Sequence, residues 1–216
     1  MKKHLFTTLL FTIATAASAQ HLFILSGQSN MARFKPEATF IPAIETEFGA
    51  ENIIVIKDAQ GGKPISRWYP RGDLYVRLMD KVNPAISGKE ITTVTFIWMQ
   101  GEADAKAKNA ETYLANLNGL KKQLEEDLKR IDINFIIGRL SDSGFYKRKG
   151  TPIENPQWDM MRKAQMAFAD ASENAVWIDT DDLNGEKNEL HYIKPDGYNT
   201  LGERYAENAI ALIKEN

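Results

Sequence analysis

Short apolar runs alternate along this chain with longer stretches in which apolar residues recur every three or four positions. The runs at 22–25, 52–57, 93–99, 134–140 and 175–179 are brief and rich in Ile, Val, Phe and Trp. Such runs fit strands buried on both faces of a parallel sheet, where neither side of the strand needs to be polar. Between them, Leu74, Val76, Leu78, Met79 and Val82 line one side of a helix after Gly72, and 158–169 and 201–213 also read as helices. In 105–130, Ala110, Tyr113, Leu114, Leu117, Leu120, Leu124 and Leu128 make a single apolar stripe. Its charges between Lys121 and Arg130 therefore form a solvated face rather than a binding patch. The segment 32–48 is punctuated by Pro36 and Pro42 and reads as loop with some helix.

Strands alternating with helices, each strand followed by a short polar loop, predict an α/β fold built as a three-layer α/β/α sandwich. Right-handed crossovers place helices on both faces of its sheet. Periodicity does not order the strands. No repeat, low-complexity tract or long linker interrupts the pattern, so 20–216 is expected to be a single domain.

The first 19 residues stand apart from this pattern. Lys2-Lys3-His4 is followed by a mostly apolar stretch and then Ala17-Ser18-Ala19, the layout of a secretory signal peptide. The apolar stretch is too short and too rich in Ala and Thr for a membrane span. Residues 1–19 are thus expected to be removed, giving a secreted or periplasmic protein without membrane insertion. The whole chain of 216 residues carries 27 basic and 29 acidic side chains, and losing Lys2 and Lys3 would take the net charge from −2 to −4. A mildly acidic surface gives no help to a polyanion, so nucleic acid is not an expected partner. With no cysteine, thiol nucleophiles, Cys zinc sites and iron–sulfur clusters are excluded. The pattern does not set an oligomeric state.

Chemistry collects where the apolar runs end. Polar clusters follow three of them, around Ser29, Gly61-Gly62 and Gln100, and a fourth surrounds His191. In open α/β sheets the loops at the strands' carboxyl ends hold the ligand. A serine where strand gives way to helix is exposed at the top of the sheet, although Ser and Asn are also ordinary helix caps. Adjacent glycines allow backbone to approach a ligand, and equally make a plain turn. Of the three histidines, His4 lies in the leader and His21 at the opposite end of the first strand, which leaves His191 as the candidate base. No second histidine stands at ligand spacing, so neither metal nor cofactor is expected.

Four ordered blocks sharpen this picture: Gly27-Gln28-Ser29-Asn30; Gly61-Gly62 with Pro64; Trp98-Met99-Gln100-Gly101-Glu102-Ala103-Asp104; and Leu190-His191-Tyr192 followed by Gly197-Tyr198 and Leu201-Gly202. Together they resemble the SGNH (GDSL-like) hydrolases, in particular the carbohydrate esterase group of acetyl xylan esterases and sialate O-acetylesterase-like proteins. The resemblance implies a five-stranded parallel sheet of flavodoxin-like order 2-1-3-4-5. It also implies a serine carboxylic-ester hydrolase acting on O-acetylated polysaccharide or oligosaccharide, with acetylated xylan the first expectation and O-acetyl sialate the alternative. A carbohydrate-binding protein without turnover on the same scaffold is the competing class.

By the same resemblance Ser29 is the nucleophile and His191 the general base. The Ser29 N–H, a glycine N–H (Gly62 ahead of Gly61) and the Gln100 amide would form the oxyanion hole. Glu102 and Asp104 support Gln100 and the helix after it. Related sequences place an Asp three residues before the histidine, where this chain has Asn188. Glu189 is then the expected acid, with Asp179, Asp181, Asp182 or a backbone carbonyl as alternatives. Trp68, Tyr69 and Trp158, together with Phe145 and Tyr146, are candidates for a substrate rim on which pyranose rings stack, or for ordinary packing under the loops. Arg33 and Arg67 are candidates for contact with a sialate carboxylate.

Overall fold

The computed structural model describes residues 20–147 and 150–215; the expected signal peptide lies outside these residues. In chain order the elements are β1 (Gln20–Gly27), α1 (Ser29–Arg33), α2 (Phe40–Phe48), β2 (Ile53–Ala59), α3 (Asp73–Ile86), β3 (Ile91–Met99), α4 (Glu102–Lys106) and α5 (Ala110–Leu128). They continue with β4 (Asn134–Gly138), the small hairpin β5 (Tyr146–Lys147) and β6 (Thr151–Pro152), α6 (Pro156–Asp170), β7 (Ala175–Ile178) and α7 (Asp196–Glu215). Five strands form one sheet in the order β2-β1-β3-β4-β7, every neighbouring pair parallel. This is the expected 2-1-3-4-5 order. Helix α2 pairs with α7 and α5 with α6, and the helices flank the sheet.

The interior follows from the apolar runs. Leu22, Phe23, Ile24 and Leu25 of β1, and Phe96, Ile97, Trp98 and Met99 of β3, are all buried. Central strands covered on both sides have no polar face to present, which is why these runs are continuous and not alternating. Among the described residues no helix is long and apolar enough to cross a membrane.

Three local expectations change. The helix expected across 105–130 is two helices, because Lys108 takes a left-handed backbone (φ 60°) between α4 and α5. Helix α7 starts at Asp196, earlier than its apolar stripe indicates. Val76 does not join the buried side of α3; it is 50% exposed, while Leu74, Leu78, Met79 and Val82 face inward.

Candidate active site

Strand β1 ends at Gly27, whose φ of 141° favours glycine, and a Cβ there would lie 2.0 Å from the Met99 carbonyl oxygen. Only a residue without a side chain lets β1 and β3 finish this close together. The Gln28 N–H then donates to that carbonyl at 2.8 Å, and Ser29 opens α1. Ser29 is half-buried at the sheet's carboxyl edge. The Gly61-Gly62 turn follows β2 on the neighbouring strand; a Cβ on Gly61 would lie 3.7 Å from that of Ser29. Gly62 turns with a φ of 68° and a Cβ there would meet nothing within 4 Å. Both glycines are exposed.

The third block holds that turn in place. Gln100 is fully buried, and its Nε2 lies 2.6 Å from Asp104 Oδ2, 3.0 Å from the Lys63 carbonyl and 3.3 Å from Gln28 Oε1. Its two amide protons are therefore engaged inside the protein. Asp104 Oδ2 also accepts from the Ile65 N–H at 2.8 Å. Gln100 and Asp104 thus tie the loop 61–65 to the end of β3, and this arrangement sets Gln100 to anchor the loop instead of donating to an oxyanion. Burial raises the Asp104 carboxyl above its ordinary value, against the bonds from Gln100 and Ile65.

Next to Ser29, Asn30 is almost completely buried and its Nδ2 donates to the Leu190 carbonyl at 3.1 Å. The same nitrogen lies 3.2 Å from Glu102 Oε1, and the Tyr198 hydroxyl donates to Asn30 Oδ1 at 3.0 Å. Three of the four blocks meet at this one side chain. His191, the next residue after Leu190, is half-buried in an irregular segment. Burial holds its ring below the ordinary histidine range, helped by the charges of Arg33, Lys106 and Lys194 and opposed by Glu189. The ring is consequently neutral at pH 7, the form that accepts a proton. No hydrogen bond joins the Ser29 hydroxyl to the His191 ring, and neither has a side-chain partner among the described residues. Catalytic bonds of this kind often tighten only when substrate binds.

The carboxylates sort clearly. Asp179 pairs with Arg139 at 2.5 Å, Asp181 with Arg162 at 2.6 Å and Arg139 at 3.0 Å, and Asp182 with Arg204 at 2.6 Å. These three side chains brace the strand ends and do not reach the histidine. Asn188 accepts from Asn184 Nδ2 at 2.8 Å. Glu189 is exposed and makes no hydrogen bond to His191, acting on the ring through its charge alone.

The rim differs from expectation. Trp68 is 1% exposed; its indole N–H donates to Ser26 Oγ at 3.1 Å and its ring meets Trp98 edge-on. Tyr69 lies over Gly119 of α5. Both are packing residues. Trp158 is also buried, with its indole N–H on the Ser141 carbonyl at 2.7 Å, but it backs a cleft of about 1120 Å³ that His191 also lines. Tyr146 lines the same cleft, while Phe145 lies beneath the Arg162 guanidinium. Arg67 is committed to Asp73. Four lysines, Lys106, Lys108, Lys147 and Lys187, border the cleft against Glu186 and Glu189, and none of the four is in an ion pair among the described residues. No motif singled them out, because they come from three separate segments.

A serine at the head of the helix after the first strand, a glycine turn beside it and a histidine segment tied to its neighbour, on a sheet of this order, define the layout of an SGNH-type α/β hydrolase. The chain belongs to the carbohydrate esterase family described as sialic acid-specific acetylesterases, whose model matches residues 32–211. A probable carbohydrate esterase of Arabidopsis thaliana is 26% identical over 160 residues, 72% of this chain and 56% of that protein. The chain therefore spans little more than half the length of that curated relative. An X-ray structure of the Arabidopsis protein aligns with a TM-score of 0.71 at 21% identity, covering 89% of this chain and 98% of that one. A carbohydrate acetylesterase from Xanthomonas citri aligns at 0.69 and 16% identity, over 90% of this chain and 56% of that one. An acetyl xylan esterase aligns at 0.60 and 14% identity, over 87% and 98%. These structural likenesses establish the shared fold.

Proposed function

We propose that this chain hydrolyses O-acetyl esters of carbohydrates through a serine mechanism. The observation that carries the proposal is the Asn30 bond to the Leu190 carbonyl at 3.1 Å, which brings the neighbours of Ser29 and His191 together across the sheet edge. In this mechanism neutral His191 removes the Ser29 proton as Oγ attacks the acetyl carbonyl. The Ser29 N–H and a glycine N–H of the 61–62 turn stabilise the oxyanion. His191 passes its proton to the departing sugar hydroxyl, and water then releases acetate from the acetyl-serine by the same steps in reverse order. Glu189 supports the imidazolium by charge. Without a bonded carboxylate, the ring's place depends on the backbone that carries it.

For the sugar, the four cleft lysines, in no ion pair among the described residues, favour a substrate bearing a carboxylate, such as O-acetyl sialate, over neutral acetylated xylan. A cluster of lysines beside His191 in a chain of net charge −2 is a local field that a neutral glycan does not need. Acetate release from O-acetyl sialate and from acetylated xylo-oligosaccharide, each at low and high salt, tests this. The expected result is a higher kcat/KM for the acidic sugar, lowered by salt and by Lys106→Ala with Lys187→Ala. Equal or greater turnover of xylan, indifferent to salt, would return the substrate to the neutral class. We also propose an exported protein beginning at Gln20, which N-terminal sequencing of the protein recovered outside the cytoplasm would check.

A further inference from the structure

The mechanism above gives Asn30 and Glu102 no chemical step, yet both are built into the site. Asn30 is 2% exposed and has both amide protons and its oxygen engaged, with the Leu190 carbonyl, Glu102 Oε1 and the Tyr198 hydroxyl. The Leu190 carbonyl belongs to the peptide that leads into His191. Other backbone bonds hold the two ends of this irregular segment: Asn188 N–H to the Gly185 carbonyl at 2.9 Å and Ile193 N–H to the Leu183 carbonyl at 3.0 Å. Between them, position 190 is held by Asn30. Because the His191 ring has no bonded partner of its own among the described residues, its place follows the backbone at 190–192.

Glu102 is 1% exposed, and its Oε2 has no hydrogen-bond partner among the described residues. An orphaned carboxylate oxygen in the interior is unfavourable, and an apolar side chain would fill the volume without that cost. What the carboxylate supplies is an acceptor for Asn30. Glu102 Oε1 and the Leu190 carbonyl both face the Asn30 amide from the same side, so a flipped amide would set oxygen against two oxygens. The amide is thereby fixed with its nitrogen toward the histidine segment.

We infer that Asn30 and Glu102 are positioning residues that form a strut from the Ser29 helix to the His191 segment, setting the approach of ring to hydroxyl. The inference rests on the proposed Ser29–His191 mechanism. A misplacement of about 1 Å between reacting groups can lower a rate about 10²-fold, which sets the expected size of the effect.

The test compares wild type with Asn30→Asp, Glu102→Leu and Glu102→Gln on 4-nitrophenyl acetate, together with hydrogen exchange of the Asn188 and Ile193 amides, whose bonds to the Gly185 and Leu183 carbonyls close the two ends of the segment. Asn30→Asp nearly preserves shape but replaces the donor; it should lower kcat about 10²-fold with KM unchanged and speed exchange at Asn188 and Ile193. Glu102→Leu should do the same, and Glu102→Gln, which keeps an acceptor for Asn30, should recover most of the loss. Wild-type kcat in Asn30→Asp and Glu102→Leu would overturn the strut. So would a loss that tracks the fraction of folded protein and is not recovered by Gln. Ser29→Ala is measured alongside: if it still turns over substrate, the nucleophile assignment fails, and the exchange data alone decide the strut, unchanged protection in Asn30→Asp overturning it.

Discussion

Glu102 should make the protein's stability depend on pH in a way its amide analogue does not. Its carboxyl is fully enclosed, and burial, partly offset by its own backbone N–H, by Lys106 and by Asn30, pushes it from 4.5 up to about 7. That rise of roughly two and a half pH units corresponds to about 3 kcal/mol at ~1.36 kcal/mol per unit. The sign follows from which state binds protons. Below about 4.5 the group is protonated in both the folded and the unfolded chain and has no effect. Between there and about 7 the unfolded chain ionises and the folded one does not, so stability falls with rising pH, and above about 7 the loss is complete. Glu102→Gln removes this titration and leaves the others in place. Urea unfolding of both proteins from pH 4.5 to 8.5 should give stability curves that diverge, the variant gaining about 3 kcal/mol relative to wild type across the range. Parallel curves, or a wild type that gains on the variant as pH rises, would refute a buried and destabilised carboxylate at this position.

Other consequences are equally open to measurement. The acid limb of kcat/KM should have its midpoint below the ordinary histidine value of 6.5, because burial and then Arg33, Lys106 and Lys194 disfavour the imidazolium. Glu189→Gln should move that midpoint lower still, and an unmoved midpoint would show that its charge does not reach the ring. Asp179→Asn and Asp182→Asn should leave kcat intact, whereas Asp181→Ala, which leaves Arg162 without its carboxylate and Arg139 with Asp179 alone, should cost about 1–3 kcal/mol in urea unfolding. Gly144→Ala would put a Cβ 1.9 Å from the Trp158 ring and should destabilise by about 1–3 kcal/mol, with the cleft wall displaced.

The strands were legible because a strand covered on both faces can be written only as a continuous apolar run, and β1, β3 and β4 are such runs. The break between α4 and α5 was hidden, since Ala105 and Ala110 continue a helical stripe and only the backbone of Lys108 interrupts it. At the site, the four blocks identified the right loops but not the contacts within them. Gln100 has the chemistry of an oxyanion donor, and nothing in its neighbours along the chain reveals that the Lys63 carbonyl and Asp104 occupy its protons. Trp68 sits in a polar loop, as a rim residue would, yet the tertiary contact with Ser26 and Trp98 buries it. Asn30 and Tyr198 were visible within their blocks. Their role emerges only when positions 168 residues apart in sequence are joined by a hydrogen bond. The lysines of the cleft were invisible for the same reason, and the local charge they create opposes the chain's net charge.

Covalent capture separates Ser29 as a nucleophile activated by His191 from any other source of the esterase activity. Folded wild-type protein is treated with a fluorophosphonate, and the modified residue is located by peptide mass spectrometry, with acetate release from an O-acetyl sugar followed in parallel. The expected result is a single phosphonyl group on Ser29, loss of acetate release in step with labelling, much slower labelling in His191→Ala, and background turnover in Ser29→Ala. Full acetate release by a protein whose Ser29 is blocked or replaced, or stoichiometric labelling at a different residue, would contradict it.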